Sequence, residues 1–250
     1  MTQLPEDLIL VAIPTYNECE NISSICRDVL HVLPGANLLV IDDASPDGTG
    51  EQVLHLMGQE PRLRLVTRSA KLGIGSAHKF ALDEAMRTGA LILVTLDADH
   101  SHKAADIPRL ISALANAEVS VGSRFTAGGG LENWTLTRKL LTHLGHWATK
   151  VILHVPFDAT GALRAYRVNE VSRSLKPYNL SDGYSWFYES SAVLHRCGLR
   201  VAEVPITLTS RTYGSSKMQV SDISFSIFNL VRFTMLLQRA LPKKRKNYEP

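Results

Sequence analysis

Two aspartates, Asp97 and Asp99, stand two residues apart, the first at the end of the apolar run LILVTLD (91–97) and the second just after it. Carboxylates held this close repel each other, and burial forces one of them to bind a proton unless a cation joins them. Hard divalent ions such as Mg²⁺ and Mn²⁺ prefer carboxylate and phosphate oxygens. The spacing therefore predicts a metal-assisted phosphate site, and the alternative interpretation is a solvated turn at a strand end.

Polar residues also follow the two earlier apolar runs of the chain. Tyr16 and Glu18 come after LILVAI, and Asp43 comes after LLVID. A carboxylate there can accept hydrogen bonds from a ribose or a base. The segment KLGIGSA (71–77) offers glycine N–H groups at a helix start, where a phosphate can approach. This segment lacks the GK[ST] ending of a P-loop, so by itself it is weak evidence for a phosphate-binding site.

The elements that position these polar residues can be predicted from the first half of the chain, where apolar runs alternate with segments of helical periodicity. Because strands that alternate with helices form a parallel sheet with right-handed crossovers, we expect an α/β fold with a mainly parallel, twisted sheet and helices on both faces. Ligands of such sheets bind outside the carboxyl ends of the strands. Strands are predicted at 8–13, 38–42, 63–66, 91–97 and 119–123, and helices near 22–33, 53–57, 76–88 and 104–116.

The second half of the chain is less regular. A glycine-rich segment at 124–135 is expected to be a mobile loop. Residues 1–219 are expected to form one domain, with a nucleotide-binding half at 1–123 and an acceptor half at 124–219. The remaining predicted elements are helices at 136–153, 185–196 and 220–240 and strands near 161–167 and 200–209.

Composition and charge exclude several classes of protein. With 45 % hydrophobic and 20 % charged residues, the 250-residue chain can bury a sizeable core. Residues 243–250 hold four of the 27 basic residues and one of the 24 acidic residues, so the rest of the chain is electrically balanced. This balance argues against binding to nucleic acid. Three cysteines without metal-type spacing and an N-terminus without a basic region suggest a cytoplasmic protein.

Several motifs together resemble family 2 glycosyltransferases of the GT-A fold, and within them the dolichol- or polyprenol-phosphate mannosyltransferase branch. The resemblance runs from about residue 9 to 235. It implies an inverting enzyme that uses Mg²⁺ or Mn²⁺ to move a sugar, with GDP-mannose favoured, to dolichyl or polyprenyl phosphate. The motifs are IPTYNECENI, IDDASPDGTG, KLGIGSA, DADHSHKAADIPRL, VGSRF, TGALRAYRV and EVPITLTSRTYGSSKM.

The resemblance also assigns roles to individual residues. The metal is expected at Asp97, Asp99 and Ser101, and the lipid phosphate at Arg124, Arg138 and Thr142. Asp97 and Asp99, with Arg211 and Lys217 as a diphosphate clamp, are the expected catalytic set. The expected nucleotide-sugar contacts are Pro14, Tyr16, Glu18, Ile41, Asp43, Asp97, Ala98, Asp99, Arg124, Arg211 and Lys217.

Elementary chemistry is consistent with these roles. Negative charge develops on the departing nucleoside diphosphate, and a metal with cationic side chains stabilises it. The acceptor phosphate is already ionised at neutral pH, so no general base has to deprotonate it, and arginines can bind it through charge-assisted hydrogen bonds.

The chain departs from its relatives at four positions, and these departures leave alternatives open. Phe187 stands where relatives usually have glutamine, and Asp182 stands where a basic residue is common. Ala162 and Leu163 stand where serine and phenylalanine are more usual. All four lie near the expected sugar and acceptor pocket. The alternatives are another donor, such as UDP-glucose or UDP-N-acetylhexosamine, a non-lipid acceptor, or an inactive module that only binds nucleotide sugar.

The C-terminal segment 220–250 is expected to be an amphipathic helix with a basic tail. Asp222 and Arg232 interrupt its apolar residues, so a membrane-spanning helix is not expected, and the cluster KKRK follows it. Such a helix can lie at an anionic membrane surface. Trp134 is a second candidate for a membrane contact. We expect a peripheral protein at the cytoplasmic face of a membrane; the alternative is a helix packed on the core.

Overall fold

Seven strands form the central sheet in the computed structural model, which describes residues 5–209, 230, 232–235 and 237. Their order is β3-β2-β1-β4-β7-β5-β8. β7 runs antiparallel to both of its neighbours, and the other pairings described in this sheet are parallel. The strands are β1 (Ile9–Thr15), β2 (Asn37–Asp42), β3 (Leu63–Thr67), β4 (Ile92–Thr95), β5 (Val119–Ser123), β7 (Arg164–Arg167) and β8 (Val201–Pro205). Two short strands, β6 (Gly130–Glu132) and β9 (Thr207–Thr209), form a separate parallel pair.

Helices cover both faces of the central sheet. Successive residues of β1 alternate between two core clusters: Val11 and Ile13 pack with α1, whereas Leu10 and Ala12 pack with α3. This alternation is the period of a strand that is buried on both faces. The helices are α1 (Cys19–Val32), α2 (Thr49–Met57), α3 (Ile74–Thr88), α4 (Ile107–Ala113), α5 (Leu136–Ala148), α6 (Val168–Leu175) and α7 (Trp186–Arg196), and a π-helical turn (Thr149–Leu153) continues α5.

The predicted α/β architecture with a mainly parallel sheet is confirmed, and the differences lie mostly in the second half. The expected strand 91–97 ends at Thr95, so the two aspartates leave the sheet in a loop. The expected strand 200–209 is two strands, β8 in the central sheet and β9 outside it. The expected loop 124–135 contains β6, which pairs with β9, and α6 was not predicted.

The described residues of the C-terminal segment are helical, as expected. Leu230 and Leu237 are buried in the core cluster on the α3 side of the sheet, and Phe233 packs against that cluster. Arg196 donates to the Leu237 carbonyl at 3.2 Å. These apolar side chains therefore contact the protein, as in the alternative of a helix packed on the core. The rest of 220–250, with the basic cluster, lies outside the described residues, and the division at 123 and 219 stays a prediction.

A buried carboxylate ties α3 to the edge of the sheet. Glu84 accepts hydrogen bonds from Arg87 on the same helix at 2.7 and 2.8 Å and from Arg64 on β3. The Arg87 hydrogen bond is the largest cause that lowers the pKa of Glu84, to about 2. A carboxyl whose pKa is lower in the folded state stabilises the fold at neutral pH. This stabilisation is lost as pH falls from the unfolded pKa near 4.5 towards 2.

We predict that Glu84→Gln lowers the unfolding free energy at pH 7 by about 1–2 kcal/mol, because the charge-assisted hydrogen bonds are weakened. The variant should also lose less stability than the wild type between about pH 5 and pH 3. Urea unfolding at several pH values measures both effects. Asp83→Asn is the control, because Asp83 is exposed on the same helix. A Glu84→Gln profile parallel to the wild type would contradict the prediction.

Candidate active site

A cleft of about 560 Å³ lies at the carboxyl ends of β1, β2 and β4. Strand register brings these ends together, since Ala12 pairs with Thr95 and Thr15 pairs with Asp42. The cleft is lined by seven residues predicted to contact a nucleotide sugar: Pro14, Tyr16, Glu18, Asp43, Asp97, Ala98 and Asp99. Further lining residues are Thr15, Lys71, Gly73, Ile74, Ala77, Ser181, Asp182, Gly183, Tyr184, Ser185 and Phe187.

The two aspartates after β4 differ in exposure. The Asp97 side chain is 32 % exposed, whereas Asp99 is buried and accepts a hydrogen bond from the Ser101 N–H at 3.0 Å. The chain reverses at His100, which has a φ of 58°. The buried His102 places Nε2 3.9 Å from Asp97 Oδ2. Burial is the largest cause that lowers the pKa of His102, to about 4, so the imidazole is neutral at pH 7.

The donor set of this turn fits a hard divalent ion. Asp97 and Asp99 both line the cleft. Within the part of the chain that the structure describes, no group of three or more His, Cys, Asp and Glu side chains could hold a metal by itself. Mg²⁺ usually keeps several waters and binds through one or two carboxylates plus substrate phosphates. The two aspartates would therefore hold such an ion together with a bound diphosphate.

Asp43 stabilises the glycine-bearing loop beside the cleft. Its carboxylate pairs with Arg68 and accepts from the N–H groups of Leu72 at 3.0 Å and Gly73 at 3.2 Å. Arg68 also donates to Ser76 Oγ at 2.9 Å and to the Gly73 carbonyl at 3.1 Å. Both oxygens of Asp43 are thus engaged within the protein. The sequence analysis missed Arg68, which follows β3 with no motif to mark it.

The glycines of KLGIGSA allow the loop at 181–183 to approach closely. A Cβ atom on Gly73 would lie 2.5 Å from the Asp182 carbonyl oxygen, and one on Gly75 would lie 2.4 Å from that of Ser181. The Ser76 N–H at the start of α3 donates to the Asp182 carbonyl at 3.1 Å. The sequence predicted that N–H groups of this loop face a phosphate. The Ser76 N–H instead binds residues 181–183, which form the far wall of the cleft.

A buried carboxylate and an ion pair hold that far wall. The buried Glu189 accepts from the N–H of Ser181 at 2.7 Å and from its hydroxyl at 2.6 Å. Lys79 pairs with Asp182 at 2.6 Å. Glu189 thus positions the loop that lines the cleft. Lys71 of the glycine-bearing loop lies over the Tyr16 ring at 4.4 Å, so a cation that was not among the predicted site residues stands at the cleft.

Arg124 is held outside the cleft lining by a carboxylate that the sequence analysis missed. Its Nε lies 3.3 Å from Oδ2 of the fully buried Asp158, and its Nη2 donates to Thr160 Oγ1. Thr160 N–H in turn donates to Asp158 at 3.0 Å. His102 lies within electrostatic range of Arg124, Asp158 and Asp99, so this pair is near the aspartate turn.

Four other predicted site residues do not line the cleft in the described part of the chain. Ile41 is fully buried in β2 and belongs to the core, because successive strand residues face opposite sides of the sheet. Ser101 is buried behind Asp99. On α5, Arg138 stacks on Trp134 at 3.7 Å, and Thr142 is half-buried. The predicted diphosphate clamp, Arg211 and Lys217, lies outside the described residues.

Comparison with known proteins decides the family. A model of the family described as glycosyl transferase family 2 matches residues 10–173, which is more than half of the chain. The chain belongs to glycosyl transferase family 2. The expected resemblance is thereby confirmed, and the protein is a glycosyltransferase.

Two relatives narrow the resemblance within the family. The glycosyltransferase is 36 % identical over 235 residues to the polyprenol monophosphomannose synthase of Mycolicibacterium smegmatis, covering 93 % of this chain and 89 % of that protein. It is 33 % identical over 226 residues to the undecaprenyl-phosphate mannosyltransferase of Micrococcus luteus, covering 90 % and 93 %. The similarity to the polyprenol-phosphate mannosyltransferase branch thus extends over nearly the whole chain.

A solved structure confirms the GT-A-like fold. The glucosyl-3-phosphoglycerate synthase of Mycobacterium tuberculosis, solved with Mn²⁺, UDP-glucose and phosphoglyceric acid, matches the glycosyltransferase with a TM-score of 0.66. The match covers 94 % of this chain and 80 % of that chain, at 20 % sequence identity. At this identity the similarity speaks for the fold alone.

We predict that Arg68→Ala lowers the unfolding free energy by about 3 kcal/mol, because it leaves the buried Asp43 carboxylate unpaired. Adding Asp43→Asn should restore part of the loss, so the two changes are not additive. Urea unfolding of the single and double variants measures this coupling. The control is Arg62→Ala, which removes a partly exposed ion pair with Glu60 and should cost less than about 1 kcal/mol. Equal losses for Arg68→Ala and Arg62→Ala would contradict the prediction.

Proposed function

We propose that this glycosyltransferase moves a mannosyl residue from GDP-mannose to a polyprenyl or dolichyl phosphate, with inversion at the anomeric carbon and with Mg²⁺ or Mn²⁺. One observation carries the proposal: residues that the mannosyltransferase resemblance assigns to the nucleotide sugar meet in one cleft, Asp97 and Asp99 among them. The two relatives named for polyprenol-phosphate mannose transfer match about nine tenths of the chain, which supports the sugar and the acceptor class.

The cleft suggests how the donor binds. Tyr16 and Glu18 follow β1 and face the nucleoside, while Ala98 allows the backbone between the aspartates to approach the ribose and diphosphate. Lys71 stands at the same cleft and adds a positive charge for the phosphates. Asp43 acts through the loop that it holds. Arg211 and Lys217 remain the proposed diphosphate clamp.

The reaction is a single displacement. An oxygen of the acceptor phosphate attacks the anomeric carbon while the bond from that carbon to the β-phosphate oxygen breaks, so GDP leaves with the bonding electron pair. The attacking oxygen is already ionised, so no proton has to be removed. Asp97 and Asp99 would hold a divalent ion, which would stabilise the negative charge on the leaving diphosphate. An α-linked donor then gives a β-linked lipid phosphate sugar.

Arg124 is the best placed of the proposed ligands for the acceptor phosphate. Asp158 and Thr160 hold its guanidinium in one orientation, and that fixed geometry suits bidentate binding of a phosphate. The charges of both Arg124 and Asp99 act on the pKa of His102, which supports neighbouring positions for the proposed acceptor and metal sites. Arg138 and Thr142 on α5 complete the proposed set.

A lipid acceptor requires contact with a membrane. Among the described residues, none of the helices has the length and apolar composition needed to span a bilayer. We propose that the protein works as a peripheral enzyme at the cytoplasmic face of a membrane.

UDP sugars such as UDP-glucose are the second candidate donor class, because one cleft residue departs from the family pattern. Phe187 lines the cleft where relatives usually have glutamine, and it presents an apolar ring in place of an amide that could hydrogen-bond a sugar hydroxyl.

Transfer assays with a panel of donors test the proposal. We predict that GDP-mannose with undecaprenyl phosphate and Mn²⁺ yields a lipid phosphate mannose with a β linkage by NMR, and that chelation abolishes transfer. UDP-glucose and UDP-N-acetylglucosamine should give no product, and transfer from one of them alone would replace the proposed donor. Thermal shifts with the same nucleotide sugars are the second readout, since binding without any transfer would favour an inactive module and overturn the proposal.

A further inference from the structure

The outward face of α5 is apolar. Leu136, Leu140, Leu144 and Trp147 recur at steps of four, four and three, and their exposed fractions run from 51 to 84 %. This spacing places them in one stripe along the helix. Val151, half-exposed in the π-helical turn, follows at the next step of four. No residue of α5 is buried, so the helix differs from the other helices of the described chain, whose apolar residues face the core.

The inward face of α5 is the more polar one. Thr142 and His146 are half-buried, and Thr149 in the following turn is buried. His146 stacks on Phe125 at 4.0 Å between ring centroids. The amphipathic pattern is therefore reversed with respect to a helix that covers a protein core. A soluble surface rarely carries such a contiguous apolar patch unless another partner covers it.

Charge along the segment indicates the partner. From residue 133 to residue 157 the chain contains no Asp or Glu, but it contains Arg138, Lys139 and Lys150 and three histidines. At 100° per residue, Lys139 and His143 lie along one border of the apolar stripe. An apolar face with cations at its border fits an anionic lipid surface, where the apolar side chains enter the boundary between headgroups and acyl chains. Interfaces between copies of one protein are instead depleted of lysine.

We propose that α5 docks the enzyme on the surface of a bilayer that contains anionic phospholipid, with Leu136, Leu140, Leu144 and Trp147 inserted among the lipids. The π-helical turn anchors this helix in the protein, because Leu153 at its end is buried in the core cluster.

The docked helix lies next to the proposed acceptor site. Phe125, which contacts both His143 and His146 of α5, directly follows Arg124. The Arg124 guanidinium lies over the Phe125 ring at 5.0 Å. Insertion of α5 would thus bring Arg124 close to the level of the lipid headgroups, where the phosphate of a membrane-bound acceptor is found. This link to catalysis rests on the proposed function, whereas the docking itself does not.

Co-sedimentation of the full chain with vesicles tests the docking. We predict that the wild type binds vesicles of phosphatidylcholine and phosphatidylglycerol, and that Leu140→Ser with Leu144→Ser weakens binding about tenfold or more. The matched control is Leu54→Ser with Met86→Ser, which replaces two exposed apolar residues on α2 and α3 and should bind like the wild type. Lys150→Gln should weaken binding only when phosphatidylglycerol is present.

Transfer to two acceptors separates this inference from the proposed function. The Leu140/Leu144 variant should lose transfer to undecaprenyl phosphate in vesicles but keep transfer to a short, water-soluble prenyl phosphate. If the enzyme transfers no mannose at all, sedimentation still reports on α5. Unchanged sedimentation of that variant, or a wild type that stays in the supernatant, overturns the proposal. A wild-type dimer that the same variant converts to a monomer also overturns it, since a second copy would then cover this face.

Discussion

The site depends on the repulsion between two carboxylates that the sheet places at one edge. Asp97 and Asp99 follow β4 beside the end of β1, and the fully buried Leu96 directly before them fixes the start of their loop in the core. Two negative charges held close together repel each other, and a nearby cation relieves that repulsion. In the proposed function, this repulsion is relieved when a metal and a diphosphate enter together.

The sequence predicted the parts of this site that depend on strand ends. The apolar runs before Tyr16, Asp43 and Asp97 are long and uninterrupted, so the three strands and the cleft beyond them followed from periodicity alone. The ion pairs of Asp43 with Arg68 and of Asp158 with Arg124 could not be predicted, because their partners meet only through tertiary packing. The resemblance assigned Ile41 to the nucleotide sugar, but a resemblance in sequence does not tell which side chains of a strand point into the core, where Ile41 is buried.

The second half of the chain was harder to predict for a physical reason. β7 is four residues long and inserts antiparallel between β4 and β5, so it interrupts the parallel alternation on which the prediction relied. β6 and β9 have three residues each, too few for a period to show. The sequence showed the helical period of α5 but not the direction of its apolar face. A helix that packs on a protein core and a helix that lies on a bilayer have the same apolar periodicity.

Electron paramagnetic resonance of Mn²⁺ tests the central claim most directly. The signal of free Mn²⁺ is titrated with the wild type and with Asp97→Asn/Asp99→Asn, each with and without GDP. If the two aspartates and a diphosphate share one ion, GDP should tighten Mn²⁺ binding to the wild type by about tenfold or more, and the double variant should bind no more Mn²⁺ than GDP alone does. Equal Mn²⁺ binding by the wild type and the double variant in the presence of GDP would contradict the account.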